Sequence, residues 1–245
     1  MSDINRLPSR FAAAMRNGTT ASEAVRNIIK AYDPTWNVWY DNFIGDSLDA
    51  RAGAAAGTNG TVTVAGGKLT LTATTTDNDS AGQGFGLMWK GDNGFYLESQ
   101  QALDVLTTAK VEWGITDALN DAGAVNVKAT PSATATDFCV LVRDTDDNTQ
   151  LDVISQKATG VAANAENVHA VVAATNITSI FTGQNDVVGV QVGSSIGNVE
   201  SVAQGAIEGG TLITPWWFAQ SRAGSVTRIF TVEYVLMAGP NGVAP

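Results

Sequence analysis

The chain has 245 residues and a formal net charge of −10, from 24 acidic and 14 basic side chains, and 44% of its residues are hydrophobic. This length and composition fit one or two folded domains, and the acidic balance argues against nucleic acid or an anionic membrane as a partner. The start of the chain lacks the apolar core of a secretory signal, and no window is apolar enough to span a membrane, so we expect a protein made in a cytoplasm.

Basic residues are concentrated at the start of the chain. The first thirty residues carry five basic and two acidic side chains, a net charge of +3 that leaves −13 for the remainder. Thr20 and Glu23 have the spacing of a capping box, and Asp33-Pro34 ends the helix that follows. That helix has an apolar stripe formed by Ala24, Val25, Ile28, Ile29 and Tyr32. We predict a helical N-terminal arm over residues 1–38, which packs on its own domain or reaches a neighbouring subunit.

Four aromatic residues follow within eight positions: Trp36, Trp39, Tyr40 and Phe43. Rings of this size need substantial cover, since each buries on the order of 150–250 Å². An exposed cluster would form a binding patch. We expect instead that the cluster seals the first strand onto the core.

From Thr61 onward apolar and polar residues alternate, which is typical of strands, and Gly66-Gly67 has the composition of a hairpin turn. Asn120–Thr136 has few large apolar residues and is predicted to form a long surface loop. Many short strands with regular turn signals and little helix favour an all-β fold, a jelly-roll β-sandwich over residues 39–245. Further strands are predicted at Gly86–Trp89, Phe95–Gln100, Ala109–Ile115, Phe138–Arg143, Leu151–Ser155, Val168–Ala173, Ile177–Phe181, Val187–Val192, Ile213–Ala219 and Thr227–Met237.

Residues suited to catalysis or metal binding are few. The single histidine, His169, and the single cysteine, Cys139, cannot supply a metal tetrad, and Cys139 lies in an apolar run where a thiol behaves as a small buried hydrophobe. Asp144–Asn148 is acidic enough for Ca²⁺ but lacks the glycine and glutamate of a calcium loop, so a tight hairpin turn is favoured. We expect no catalytic residue, metal or cofactor.

Two predicted strand glutamates, Glu98 and Glu112, keep a glycoside hydrolase under consideration, because that chemistry needs two opposed carboxylates. Nearby tryptophans also allow sugar binding without catalysis. Tryptophan residues in a β-sandwich mostly lie in the core, however. Neither a glycoside hydrolase nor sugar binding through these tryptophans is therefore the main prediction. The tryptophans concerned are Trp89, Trp113, Trp216 and Trp217.

Several segments resemble the virion structural proteins of tailed bacteriophages that decorate or cement capsids, whose fold is similar to concanavalin-like jelly rolls. The resemblance is one of pattern, spread over most of residues 39–239, and the N-terminal arm is not part of it. The segments are WYDNFIGDSLDA (39–50), GDNGFYLESQ (91–100), VEWGITDALNDAG (111–123), DFCVLVRDTDDNTQLDVIS (137–155) and PWWFAQSRAGSVTRIFTVEYVLMAG (215–239).

The resemblance implies a non-enzymatic protein that cements a capsid in the virion as a homo-oligomer, with the major capsid protein and sister subunits as partners. The predicted arm suits such latching, because its cations orient the encounter and its apolar stripe buries area. The residues predicted to bind partners are Arg6, Arg10, Arg16, Val25, Ile28, Ile29, Trp36 and Trp39. The alternative is a carbohydrate- or receptor-binding module of a phage tail or fibre, with a glycan on its outer face.

Overall fold

The structure, a computed structural model, describes residues 36–240 except 46, 49–51, 92–93, 121, 159, 196 and 223–225, and gives the backbone alone for residues 161–164. The predicted arm helix lies outside the described residues. So do six of the predicted partner-binding residues, namely Arg6, Arg10, Arg16, Val25, Ile28 and Ile29.

The described chain consists of strands and their connections, and contains no helix that is long and apolar enough to cross a membrane. In chain order the strands are β1 (Trp36–Asp41), β2 (Thr61–Ala65), β3 (Lys68–Ala73), β4 (Ser80–Gly84), β5 (Trp89–Lys90), β6 (Phe95–Leu103), β7 (Ala109–Thr116), β8 (Val125–Val127), β9 (Ser132–Ala133), β10 (Phe138–Asp144), β11 (Asn148–Lys157), β12 (Gly160–Ala170), β13 (Ile177–Gln184), β14 (Val187–Gly193), β15 (Val199–Ala206), β16 (Leu212–Ser221) and β17 (Arg228–Pro240).

Two antiparallel sheets pack face to face. The first sheet has the order β15-β14-β13-β6-β17-β3-β2, with β1 also paired to β17. The second has the order β12-β11-β10-β7-β16-β4, with β5 paired to β16, and β8 and β9 form a separate hairpin. This architecture confirms the predicted all-β jelly-roll sandwich.

Strand β17 holds the first sheet together. One side of it pairs with β6 along most of its length. On the other side its first half pairs with β3 and its second half with β1. The domain boundary predicted between residues 38 and 39 therefore falls inside β1, a strand that belongs to the sandwich.

The main core lies between the two sheets and is rich in aromatic rings. Trp39 of β1 packs on Phe85 with ring centroids 3.7 Å apart, and Phe85 meets Trp217 of β16 edge-on at 6.1 Å. Trp39 and Phe43 are fully buried, so two of the four residues of the first aromatic cluster seal β1 onto the core as predicted. Trp36 and Tyr40 alternate with Trp39 and therefore point to the opposite face of the sheet.

Some strands were not predicted because they contain mainly small residues. Strands β4 and β15 and the first part of β12 are rich in Ala, Gly and Ser, which lack the β-branched and aromatic side chains that typify strands.

The turn between β2 and β3 is confirmed at Gly66-Gly67. Both residues have positive φ, 59° and 74°, as a two-residue hairpin turn of type I′ requires.

The prediction of a surface loop at Asn120–Thr136 is correct only in part. This segment contains the β8–β9 hairpin and lies against the outer face of the second sheet. Ala124, Val125 and Ala135 are buried there beside Phe138. Small side chains let the backbone approach the sheet closely, so part of the segment is buried despite its low apolar content, while Val127 and Thr134 remain exposed.

We predict that Trp39→Ala lowers the free energy of unfolding by about 3–5 kcal/mol, because it leaves a cavity beside Phe85. Urea unfolding followed by fluorescence measures this change. Ile44→Ala is the control, since Ile44 is 72% exposed, and it should change the free energy by less than about 0.5 kcal/mol. Equal effects of the two substitutions would contradict the placement of Trp39 in the core.

Candidate functional site

A cluster of aromatic side chains surrounds one carboxyl group on the outer face of the first sheet. Strand alternation turns Leu97, Val235 and Trp39 into the core, so that their neighbours point outward. Register then brings the outward residues together, because Leu236 of β17 lies opposite both Tyr40 of β1 and Glu98 of β6. We call this surface the tyrosine face and define it by Trp36, Tyr40, Tyr96, Glu98 and Tyr234.

Glu98 lies at the centre of the tyrosine face and is fully buried. The Tyr234 hydroxyl donates a hydrogen bond to Oε1 at 2.7 Å, and the Tyr96 hydroxyl donates another to Oε2. Both carboxyl oxygens therefore have a partner, as a buried polar group requires. Burial raises the pKa of Glu98, while the two phenol donors act in the opposite direction.

The phenols stay protonated because of the same surroundings. Burial, and then the adjacent Glu98, raise the pKa values of Tyr96 and Tyr234. The pKa of Tyr40 is raised by the same two causes in the same order. Tyr40 stacks on Tyr234 with ring centroids 6.5 Å apart and planes 29° from parallel. The result is a fixed pair of rings, both partly exposed, above a carboxyl group that orients one of them.

Polar groups continue the tyrosine face along β6 and β13. Asn176 Nδ2 donates to Gln100 Oε1 at 3.1 Å, and Gln100 Nε2 donates to Thr178 Oγ1 at 3.1 Å. Gln100 and Asn176 are partly exposed. Each amide retains hydrogen-bonding capacity beyond these bonds, so the row presents donors and acceptors next to aromatic rings.

Residues 120–136 cover part of the outer face of the second sheet. Glu112 of β7 accepts hydrogen bonds from Trp216 Nε1 at 2.7 Å, from Val125 N at 3.2 Å and from Ala124 N. Gly123 has a positive φ of 82°, and a Cβ there would lie 2.6 Å from Glu112 Oε1. A side chain at this position would displace the carboxylate, so glycine allows the close approach.

Lys110 also holds this segment. Its ammonium group is fully buried, 3.7 Å from Glu112 and 5.1 Å above the Phe218 ring, and it donates to the carbonyl oxygens of Ala122 and Val125. Burial lowers the pKa of Lys110, and the neighbouring carboxylate opposes the shift. These contacts hold the backbone at Ala122 and Val125 against the second sheet, and they leave no open cleft around Lys110 and Glu112.

The two strand glutamates do not meet. Glu98 lies on the outer face of the first sheet and Glu112 on the outer face of the second, with core residues Leu97 and Trp113 between the sheets. A glycoside hydrolase needs its carboxyl groups on either side of one bond, within about 10 Å. This pair therefore cannot perform that reaction.

The tryptophans considered for sugar binding are core residues, as the sequence favoured. Trp89, Trp113, Trp216 and Trp217 are all at most 1% exposed. Trp113 Nε1 donates to Ser179 Oγ at 2.9 Å inside the sandwich. None of these four rings can serve as a platform for a ligand.

Asp144–Asn148 forms the turn of the β10–β11 hairpin, as predicted. Asp144 pairs with Arg222 at 2.6 Å, and Asp147 pairs with Lys128 at 3.0 Å. Across the part of the chain that the structure describes, no three His, Cys, Asp or Glu side chains converge as a metal site would require. The acidic turn is thus paired with the protein cations Arg222 and Lys128.

Cys139 and His169 are not near each other in a catalytic arrangement. Cys139 is buried in the main core, as predicted, where burial raises its thiol pKa and keeps it protonated. His169 lies on β12, opposite Leu151, and its half-burial lowers its pKa.

The structure describes two of the predicted partner-binding residues, and it separates them. Trp39 is in the core, whereas Trp36 is partly exposed at the tyrosine face. Sequence reasoning missed Tyr40, Tyr96 and Tyr234 as a group. The available signal was alternation, because each tyrosine is adjacent to a residue that strand periodicity assigns to the core.

No family model matches the chain, and no curated protein matches it by sequence. Solved structures do match. Peanut lectin has a TM-score of 0.59 at 14% identity, over 86% of this chain and 99% of the lectin. The CBM2 module of the evolved Dit of Lactobacillus casei BL23 phage J-1 has a TM-score of 0.54 at 9% identity, over 86% of this chain and 99% of that module.

A third match comes from the endo-acting O-glycanases that human gut microbiota express to initiate mucin breakdown. It has a TM-score of 0.58 at 10% identity, over 82% of this chain and 98% of that chain. At such identities the likeness concerns the fold alone, a jelly-roll sandwich that occurs in lectins and carbohydrate-binding modules. It does not identify a capsid-decoration family.

Glu98 should make stability depend on pH. Because burial holds its folded-state pKa above its ordinary value, the folded protein retains a proton that the unfolded chain releases between the two values. Stability is therefore fully present below the unfolded pKa and falls as pH rises through the folded pKa. Glu98→Gln removes this titration, so the free energy of unfolding of the variant minus that of the wild type should increase from about pH 4 to about pH 8.

Denaturant unfolding across that pH range measures the difference. Glu200→Gln is the matched control, because Glu200 is an exposed glutamate of β15 in the same sheet. As an exposed surface substitution, it should change the free energy of unfolding by less than about 0.5 kcal/mol. A Glu98→Gln profile parallel to the wild type would show that Glu98 does not titrate differently on folding.

Proposed function

We propose that the chain is a non-catalytic carbohydrate-binding β-sandwich module whose ligand lies on the tyrosine face. The observation that carries this proposal is the stacked, partly exposed pair of Tyr40 and Tyr234 beside the buried Glu98. The apolar face of a sugar ring packs on an aromatic ring, while its hydroxyl groups need hydrogen-bond partners close by. Gln100 and Asn176 supply such partners at the edge of the ring pair.

Rigidity supports this choice of site. Glu98 accepts the hydrogen bond that orients the Tyr234 ring, and Tyr40 stacks on that ring. A ring already held in place loses little conformational entropy when a ligand binds, which favours affinity from a small contact area. The lectin and carbohydrate-binding module structures that share the fold add support at the level of architecture.

The absence of catalysis is part of the proposal. Glu98 and Glu112 lie on opposite outer faces, and Lys110 and Glu112 are occupied in holding residues 120–136 against the second sheet. On the tyrosine face, Glu98 is the carboxyl group at the centre, and both of its oxygens accept phenol hydrogen bonds. A second carboxyl group facing it across a ligand is not found among the described residues of the tyrosine face.

Tyr40→Ala tests the site directly. We expect it to weaken glycan binding at least about tenfold, equivalent to about 1.4 kcal/mol, because it removes half of the stacked pair. A glycan array with the full-length protein selects the ligand, and titration calorimetry measures its dissociation constant. Tyr40 suits this purpose because the described hydrogen bonds to Glu98 come from the other two tyrosines, so the network remains intact.

Two further variants complete that experiment. Tyr40→Phe keeps the ring and should retain most of the affinity. Val172→Ala changes an apolar residue that is 60% exposed between β12 and β13 and is not one of the five residues that define the tyrosine face, and it should have no effect. Wild-type binding by Tyr40→Ala, or no glycan binding by the wild type, would refute the proposal.

We also propose that the module belongs to a tailed-phage virion, which keeps capsid decoration as the second candidate function. The observations that favour it are the sequence resemblance over residues 39–239 and the structural likeness to a module of phage J-1. In this proposal the basic segment before Trp36 latches onto the major capsid protein or a sister subunit within a homo-oligomer. Glycan recognition and attachment to a particle are compatible, since they use different parts of the chain.

Removal of residues 1–34 tests the attachment. Because the described sandwich begins at Trp36, we expect the shortened protein to fold and to lose binding to capsid particles at least about tenfold. Co-sedimentation with particles measures binding, and light scattering measures the oligomer. Unchanged binding by a folded, shortened protein would contradict a role for the arm. Failure of the full-length protein to bind particles would contradict capsid decoration.

A further inference from the structure

Among the described residues, the tyrosine face carries almost no positive charge. The structure describes eight lysines and arginines, and strand alternation places one of them, Lys68, on the outer face of the first sheet. Lys68 Nζ lies 2.6 Å from a carboxylate oxygen of Glu233, so its charge is already paired. The other seven lie on the second sheet, at the strand ends or in the interior. They are Lys90, Lys110, Lys128, Arg143, Lys157, Arg222 and Arg228.

Glu98 adds no positive charge in either protonation state. As a carboxylate it is an anion whose oxygens accept from Tyr96 and Tyr234, and as an acid it is neutral. The tyrosines are neutral as well, because burial and Glu98 raise their pKa values. The central groups of this face are thus neutral or negative.

An anionic ligand would therefore lose hydration without gaining a counter-charge. Removing an ionised group from water is unfavourable by several kcal/mol unless a cation or several donors replace the water. The sequence after residue 30 carries a net charge of −13, which adds long-range repulsion at low ionic strength. Carboxylate, sulfate and phosphate groups are thus poorly suited to this site.

The groups that are present match an uncharged ligand. The rings of Tyr40 and Tyr234 offer apolar contact, and the amides of Gln100 and Asn176 offer both donors and acceptors. Hydroxyl groups of a sugar also act as both, so they can pair with amides in either sense. Recognition of this kind needs no net charge on either partner.

We infer that the tyrosine face selects neutral oligosaccharides and rejects those that carry carboxylate, sulfate or phosphate groups. This inference rests on the proposed function, since it names the ligand class of the same site. Recognition then proceeds through ring stacking and amide hydrogen bonds, and binding should depend little on salt concentration.

Calorimetry of the full-length protein with two matched oligosaccharides tests the inference. One is the best neutral ligand from the array. The other has the same length and linkage with its terminal hexose replaced by the corresponding uronic acid. We expect the acidic compound to bind at least about tenfold more weakly, and the neutral compound to change less than about twofold in affinity between low and high salt.

A gain of function strengthens the test. Thr182 of β13 is partly exposed and lies opposite Tyr96 of β6, so Thr182→Lys places a cation at the tyrosine face. It should improve binding of the acidic compound by at least about threefold at low salt and leave the neutral compound unaffected. Thr70→Lys is the matched control, because Thr70 is a partly exposed threonine of β3 in the same sheet, across β17 from β6.

The outcomes separate the inference from the proposed function. Equal or tighter binding of the acidic compound, lost in Tyr40→Ala, would overturn neutral selectivity while glycan binding at this face stands. That result would indicate cations from outside the described residues, where Arg26 and Lys30 are located. If no glycan of either kind binds, the proposed function fails and the inference fails with it.

Discussion

The hydrogen bonds of Glu112 fix the segment that covers part of the outer face of the second sheet. They hold the segment around Ala124 against the second sheet, and the buried Lys110 holds it from the other side. Where this segment covers the second sheet, no ligand platform is open. On the first sheet, Tyr40 and Tyr234 are partly exposed beside the buried Glu98, so at the tyrosine face aromatic rings reach the surface.

Period-two patterning made much of the architecture predictable. The hairpin at Gly66-Gly67, the turn at Asp144–Asn148 and the buried thiol of Cys139 follow from local composition. Strands of small residues, such as β4 and β15, have no such signal, because their place depends on close approach to neighbours. Glycine and alanine indicate a turn in one context and tight packing in another.

The candidate site was harder to predict, because its members come from three strands far apart in the chain. Strand alternation places Tyr40, Tyr96 and Tyr234 on the face of the sheet that points away from the core. Only the register between the strands brings them around Glu98. A sequence without known pairing does not contain that information. The glutamates illustrate the same point. Glu98 and Glu112 both lie beside aromatic residues in predicted strands, yet the structure places them on opposite sides of the molecule.

The position of β17 has a consequence for synthesis on the ribosome. This strand pairs with β6, β3 and β1, yet it comprises residues 228–240. Until those residues have left the exit tunnel, β6 and β3 expose unpaired backbone groups, which are prone to pairing with other chains. The first sheet can therefore be completed only after residues 228–240 have been made, and slow strand pairing between distant segments should govern its folding.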